Sequence, residues 1–364
     1  NVFFCSAHTG ILEFQDDIAI ARYDHTTPNG PESVLLTEAP NFKSVRNNGL
    51  AFDRSGNLWF TNGLVANAMK VLKTDGSWQS YSISEFVPSF MQNYSNLVID
   101  KNGTKWFPAE NGLMGFNENV TPMFKKAESS DDAGSPFLNN VRSVAIDNNN
   151  RVWIGTRGGL RILSSVDRFM GEDDLETNPI IIMEDGLAQE LLFEQTILDI
   201  AVDGANNKWI ATGSSGAFLL SSNGQQTLYH FTRENSPLPS NSINDIEINS
   251  NTGEVFFATD AGLVSFKGTS TGAAGDLSNV YVYPNPVRPE FTGTVKIAGL
   301  IDDANVKITD IEGNLVYETT SEGGTIEWDT KAFGKYRVAS GVYMIFIASK
   351  DGLETKVKKV MIIR

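Results

Sequence analysis

The chain has 364 residues, 41% of them hydrophobic and 20% charged, with a formal net charge of −15. That length exceeds one ordinary hydrophobic core and predicts two domains. The acidic balance argues against nucleic acid, whose phosphates it would repel, and against passive adhesion to acidic lipid. No apolar run approaches the ~20 residues of a membrane-spanning helix, and residues 1–20 hold no basic stretch followed by an apolar one, so no signal peptide is read there.

In chain order, residues 2–6 and 10–14 read as two strands. The only cysteine, Cys5, has no internal disulfide partner, and beside Phe3 and Phe4 it is expected to be buried and inert. An oxidising compartment is neither supported nor excluded. Gly10-Ile-Leu-Glu-Phe14 matches Gly262-Leu-Val-Ser-Phe266 far downstream, so the chain is expected to open in mid-blade, without its inner strand.

From Gly49 onward one segment is written five times, ending at Trp59, Trp106, Trp153, Trp209 and Phe256. Its anchor moves from Asp53 to Asp100, Asp147, Asp203 and Asn249, in steps of 47, 47, 56 and 46 residues by subtraction. Within a copy, a short apolar strand leads to an Asx turn, in which Asp or Asn bonds the backbone two residues on. A second strand (Val152-Trp-Ile-Gly-Thr156), a Gly-rich turn and a third strand (Leu160-Arg-Ile-Leu163) follow, then a more variable outer strand such as 180–183 or 227–231. Four strands per period of ~40–50 residues predict a β-propeller, one blade per repeat. The recurring indoles read as bulk between blades, each removing ~150–250 Å² from water, rather than as a stacking platform for sugars or bases.

Repeats stop at Phe266, and 267–280 reads as a small, polar, Gly-rich linker. Beyond it, about seven short strands in 281–364 predict an immunoglobulin-like sandwich. The fold expected is therefore all-β: a β-propeller over 1–266, with six visible blades of which the first is incomplete (or seven in an intact ring), then the linker and the sandwich.

Two resemblances follow from motifs. Trp153-Ile-Gly-Thr156…Gly159-Leu160 and Leu238-Pro-Ser-Asn-Ser-Ile243 make 48–266 resemble the two-component-regulator propeller repeat. Tyr283-Pro-Asn-Pro286, Ile308-Thr-Asp-Ile-Glu-Gly-Asn-Leu-Val316, Ala339-Ser-Gly-Val-Tyr-Met344 and Lys358-Lys-Val-Met-Ile-Ile-Arg364 make the tail resemble the C-terminal sorting domain of type IX secretion cargo in Bacteroidetes. The signature residues are Pro284, Asn285, Pro286, Asp310, Gly313, Gly341, Tyr343, Lys358 and Lys359. Together the two parts resemble the PorZ family. That resemblance implies a non-enzymatic protein on the outer face of the outer membrane. It further implies anionic lipopolysaccharide or glycan as ligand, and the sortase, the attachment complex and the type IX translocon as partners. It also implies two propellers in the parent, of which this chain holds one.

The residues themselves supply no catalytic constellation. His8, His25 and His230 share no ligand spacing, and neither metal nor cofactor is expected. Asp147-Asn-Asn-Asn150 could be a calcium loop, but the equivalent Asp53-Arg-Ser-Gly56 lacks that ligand density, so turn capping is the reading. The Asp-to-Trp spacing of six does not match the sialidase Asp box, no Gly-x-Ser-x-Gly or phosphate loop is found, and pairs such as Asp173-Asp174 and Asp302-Asp303 read as solvated charge.

A binding face can be placed from propeller geometry, where loops entering the inner strand and loops between the second and third strands open together. It is expected to gather Asn48, Ser95, Arg142 and Asn244 with Asn62, Glu110, Asn111, Arg157, Ser215 and Asp260. Arg142 and Arg157 either grip an anionic glycan together or pair with Glu110 or another acid at the rim. Lys356, Lys358 and Lys359 are either read by the secretion machinery or serve as edge-strand lysines that block unwanted pairing. The alternatives to a surface component are the periplasmic propeller of a hybrid two-component sensor recognising oligosaccharide, which requires a following transmembrane helix, and a secreted polysaccharide-degrading enzyme, which requires a clustered acid–base pair. The ligand, the total number of blades, cleavage of the tail and the oligomeric state are not legible in the sequence.

Overall fold

Strands of two to eight residues, separated by Asx and glycine turns, carry nearly all of the regular structure. The computed structural model describes residues 1–6, 8–34, 41–84, 87, 94–109, 112–129, 140–171, 175–184, 186–268 and 270–364. It is a propeller followed by a β-sandwich. It divides into two compact units: 1–200 with 211–215, and 201–210 with 216–364.

Six blade sheets follow the repeats. The first holds Val2–Ser6, Gly10–Gln15 and Ile18–Tyr23, without an inner strand. The Trp59 sheet has four strands, Arg46–Phe52, Leu58–Gly63, Met69–Leu72 and Trp78–Tyr81. The Trp106 sheet runs Val98–Ile99, Lys105–Ala109, Gly112–Phe116 and Phe124–Ser129. The Trp153 sheet has three strands, Val141–Ile146, Val152–Thr156 and Leu160–Leu163. The Trp209 sheet has four, Ile197–Val202, Lys208–Thr212, Ala217–Leu220 and Thr227–Phe231, and the last has three, Ile243–Ile248, Val255–Thr259 and Gly262–Phe266.

The outer strand of the Trp153 sheet is not where the sequence suggests. Residues 180–183 do not close that sheet; Ile181–Glu184 pairs with Leu187–Glu190 as a separate hairpin. Asn178 makes a single bridge to Ile162, and Leu175–Thr177 crosses to lie parallel on Phe124–Ser129 of the preceding sheet. This detour, with a 3-10 turn at Val166–Met170, accounts for the long 56-residue step.

Trp106 and Trp153 are wholly enclosed, and Trp59 and Trp209 are 3% and 2% exposed. They are core, as their spacing requires. Phe256 departs from this pattern: its turn is one residue longer, it is half-buried, and Phe257 is the enclosed ring instead. Cys5 also corrects the sequence reading. It is exposed, because Val2–Ser6 is the edge strand of an incomplete sheet. Burial around the sulfur still pushes its thiol pKa up, so little thiolate forms at neutral pH.

The glycine of Trp-Ile-Gly-Thr has a packing reason. A Cβ on Gly155 would lie 2.6 Å from Cγ2 of Ile197 on the next inner strand, so only glycine lets those strands approach.

The sandwich joins a three-stranded sheet (Tyr281–Tyr283, Val295–Ala298, Thr325–Trp328) and a four-stranded one in the order Leu315–Thr320, Asn305–Thr309, Gly341–Ala348, Thr355–Ile362. Alternate residues of both fill one core, including Val295, Ile297, Val306, Ile308, Ile345 and Trp328. The segment 267–280 is not a free spacer. A Cβ on Gly204 would lie 1.7 Å from Thr271 O, the Gly272 N–H donates to Ser250 O at 2.8 Å, and Leu277 and Val280 enter the sandwich core.

Candidate functional site

Each blade turn is built on one carboxylate. In the first copy, Asp53 Oδ1 accepts the N–H groups of Ser55 and Asn57, while Oδ2 accepts Trp59 Nε1 at 2.9 Å. Asp100–Trp106 and Asp147–Trp153 repeat the indole bond at 2.8 Å each. In these three copies the six-residue spacing is thus a hydrogen-bonded reach: the Asp caps its own turn and satisfies a buried indole on the next strand. The sequence reading took the two residues separately and missed the bond.

Burial pushes the Asp53 carboxyl up, but hydrogen bonds from Asn57, Trp59 and the turn amides outweigh it and hold it below the usual range. Asp100 is more deeply enclosed, and there burial wins and raises the pKa. These carboxylates are fully engaged in turns, so turn capping is their role here. Among the described residues no cluster of three His, Cys, Asp or Glu side chains is placed to hold a metal, and no helix is long and apolar enough to cross a membrane.

The inner-strand ends tie neighbouring sheets together. Asn96 clasps the Val144 backbone, donating to its carbonyl at 2.7 Å and accepting its N–H at 3.3 Å. Ser95 Oγ donates to Arg142 O at 2.8 Å, and Ser143 Oγ to Asp199 Oδ1 at 3.0 Å.

Of the expected binding face, Arg142 sits at a β-bulge between Val141 and Ser143, and Val141 is paired with Thr156. Arg157 begins the turn directly after Thr156, so both arginines stand at the same end of one sheet. Arg142 is half-buried, its Nε is enclosed without a hydrogen-bond partner, and it makes no ion pair among the described residues; Arg157 is exposed. Glu110 and Asn111 lie outside the described residues.

Other expected positions are held by scaffold bonds. Asn62 is fully buried and accepts the Glu32 N–H at 2.7 Å, which removes it from any ligand face. A polar residue entering the strand end looked available in sequence, but a buried backbone N–H claims it. Ser215 Oγ donates to Gln195 Oε1 at 2.5 Å. Asn48 and Ser95 are half-buried, with Asn48 O accepting the Thr61 hydroxyl at 3.1 Å, while exposed Asn244 donates to Asp260 Oδ1 at 2.8 Å. That bond, followed by one from Ser242, lowers the pKa of Asp260, which is exposed.

The tail signature is knitted together in space. Asn285 donates to Lys359 O at 2.9 Å and accepts the Met361 N–H at 3.0 Å, while Val287 brackets the same strand with bonds to Met361 O and from the Ile363 N–H. Pro284 and Pro286, which cannot donate, flank the residue that reads the terminal strand. Asp310 caps its turn through the N–H groups of Glu312 and Asn314, Gly313 taking positive φ there. Tyr343 packs against Trp328 and donates to Ala339 O, and Gly341 opens the Tyr343 strand. Lys358 is half-buried and Lys359 exposed, both on the edge strand.

Comparison with known proteins follows the same division. Residues 281–363 match the secretion-system C-terminal sorting domain, and 135–158 match the two-component-regulator propeller family. PorZ, an essential surface component of the type IX secretion system of Porphyromonas gingivalis, is similar at 31% identity with a TM-score of 0.63. The chain is PorZ-like. The likeness covers 100% of this chain and 50% of PorZ, so the chain spans about half the length of that relative. The extracellular domain of a candidate hybrid two-component system of B. thetaiotaomicron is similar at 13% identity and a TM-score of 0.47, covering 100% of this chain and 49% of that one. Virginiamycin B lyase of Staphylococcus aureus is similar at 16% and 0.41, covering 86% and 94%. No curated protein matches the chain. PorZ-like architecture thus joins the repeat and tail motifs already described.

Proposed function

We propose that this PorZ-like chain is a non-enzymatic surface component of the type IX secretion machinery. In this reading 1–266 is the binding propeller, 267–280 the connection and 281–364 the sorting domain that directs export to the outer face of the outer membrane. The observation that carries it is the knitted tail: Asn285 joins the Tyr-Pro-Asn-Pro motif to the terminal strand within the segment that matches a sorting domain. Its partners are the sortase and attachment-complex proteins and the type IX translocon.

The propeller binds an anionic glycan such as lipopolysaccharide at the end of the Trp153 sheet. Support comes from Arg142, whose guanidinium has no carboxylate among the described residues, standing beside exposed Arg157. Two guanidinium groups at one strand end suit phosphate or carboxylate through charge-assisted bonds. Retention on immobilised acidic lipopolysaccharide tests this: the Arg142→Ala/Arg157→Ala double variant is expected to elute at lower salt than the wild type. Equal retention removes the assignment.

A further inference from the structure

The fourth copy breaks the rule that the first three obey. Asp203 keeps its turn, accepting the N–H groups of Ala205 and Asn207 on Oδ1, but Oδ2 takes only Asn207 Nδ2, at 3.2 Å. Trp209 makes no hydrogen bond to it. Where the indole bond is open, both residues line a cavity of about 740 Å³ between this blade, the following one and the sandwich. That volume lies within the roughly 300–1,000 Å³ of small-molecule sites.

The cavity has two kinds of wall. Tyr229, Phe266, Tyr283 and Phe291 form one, with Tyr229 to Phe266 at 6.1 Å and the enclosed Trp209 packed behind Phe266 at 5.7 Å. The other wall is charged. Lys267, Lys296, Lys331, Arg337 and Arg364 line it with Asp203, Glu327 and Asp329, five cations against three carboxylates. A local excess of two positive charges in a chain of net charge −15 focuses anions into the cavity.

The cations are not equally committed. Lys296 pairs with Glu327, and Lys331 with Asp329 at 3.0 Å. Arg364 donates only to neutral oxygens, Thr330 Oγ1 and Val338 O. Lys267 and Arg337 have no ion pair among the described residues and are exposed.

We propose that this cavity is a binding site for an acidic sugar of one or two rings. Exposed Tyr229 and Phe291, with half-buried Phe266 and Tyr283, present apolar ring surface to a sugar. Lys267 and Arg337 meet the anionic group, and the Tyr229 hydroxyl with the Glu327 carboxylate offers both a donor and an acceptor to sugar hydroxyls. The carboxylates in the wall disfavour an acidic peptide, whose every side chain would bring more negative charge without hydroxyls to satisfy them. The inference does not rest on the Arg142–Arg157 reading, which concerns another sheet end.

Titration calorimetry on the full chain tests it, with D-glucuronate and digalacturonate as probes and D-glucose and hexaglutamate as controls. Both acids are expected to bind saturably and more weakly at high salt, with no saturation by glucose. Lys267→Ala/Arg337→Ala, two exposed positions whose loss leaves the core intact, is expected to weaken binding about tenfold or more, the loss of at least one charge-assisted bond. Tyr229→Ala is expected to weaken it too, and Arg142→Ala/Arg157→Ala to leave it unchanged. Absence of saturable binding by both acids, equal affinity in the Lys267/Arg337 variant, equal binding of glucose, or tighter binding of hexaglutamate would each overturn the assignment.

Discussion

Trp106 Nε1 donates to Asp100 Oδ2 across 2.8 Å, while Oδ1 of the same carboxylate takes the N–H groups of Asn102 and Thr104 at 2.8 and 2.9 Å. One buried side chain thereby fixes a turn and satisfies the indole that fills the space beside it. Asp100→Ala strands three donors at once and is expected to cost about 2–4 kcal/mol in urea unfolding. Trp106→Phe keeps most of the bulk and is expected to cost less, about 1–2 kcal/mol. A double variant as destabilised as the sum of the singles would show that the two residues are not coupled.

Asp53 and Asp203 hold equivalent turns and are expected to respond to pH with opposite sign. The Asp53 pKa is lowered by its hydrogen bonds, so its stabilisation is present above the unfolded carboxylate range and lost as pH falls through the lower folded value. The Asp203 pKa is raised by burial, so its contribution is greatest below the unfolded value and lost as pH rises through the folded one. Asp53→Asn should therefore lower Tm more at pH 7 than at pH 3.5. Asp203→Asn, which keeps an acceptor for the turn, should compare better with the wild type at pH 7 than at pH 3.5. Tm differences that do not change with pH would contradict both assignments.

Much of this fold was legible because the physics is local. Alternation and Asx turns marked the strands, and the fixed Asp-to-Trp spacing marked which ring is enclosed. What stayed hidden depends on distant partners. Asn62 looked like a rim residue until the Glu32 N–H claimed it. Residues 180–183 had the right composition for an outer strand, but Leu175–Thr177 leaves for the neighbouring sheet first. The cavity was invisible because Asp203, Tyr229, Lys267, Glu327 and Arg337 are scattered over more than a hundred residues and are assembled only by topology. Its one sequence-level trace, an Asp–Trp spacing identical to the others, gave no hint that the bond is open.

Lys105 is an enclosed cation, paired with Glu118 and set 3.8 Å from the ring centroid of Trp59. Burial pushes its pKa down, and the Glu118 partner opposes that shift. Removing only the partner, Glu118→Ala, leaves a buried charge uncompensated and is expected to cost about 3 kcal/mol. Lys105→Met/Glu118→Leu removes both charges and is expected to be far milder. Chemical denaturation that ranks the double variant below the single would show that the pair itself, rather than its compensation, stabilises the fold.

Asn285 joins the Tyr-Pro-Asn-Pro motif to the terminal strand through two side-chain bonds, to Lys359 O and from the Met361 N–H. Asn285→Ala is expected to cost about 1–2 kcal/mol and to speed hydrogen exchange at the Met361 amide more than at Ile347, deep in the same sheet. Unchanged protection at Met361 would show that Val287 alone holds the strand.

The most direct test of the account is location. The full chain placed behind an export leader is expressed in a type IX-competent bacterium and in a translocon-deficient strain, and surface accessibility to protease is measured in intact cells. The account predicts digestion at the surface in the competent strain, and protection both in the deficient strain and when residues 281–364 are removed. The same accessibility in all three would contradict it.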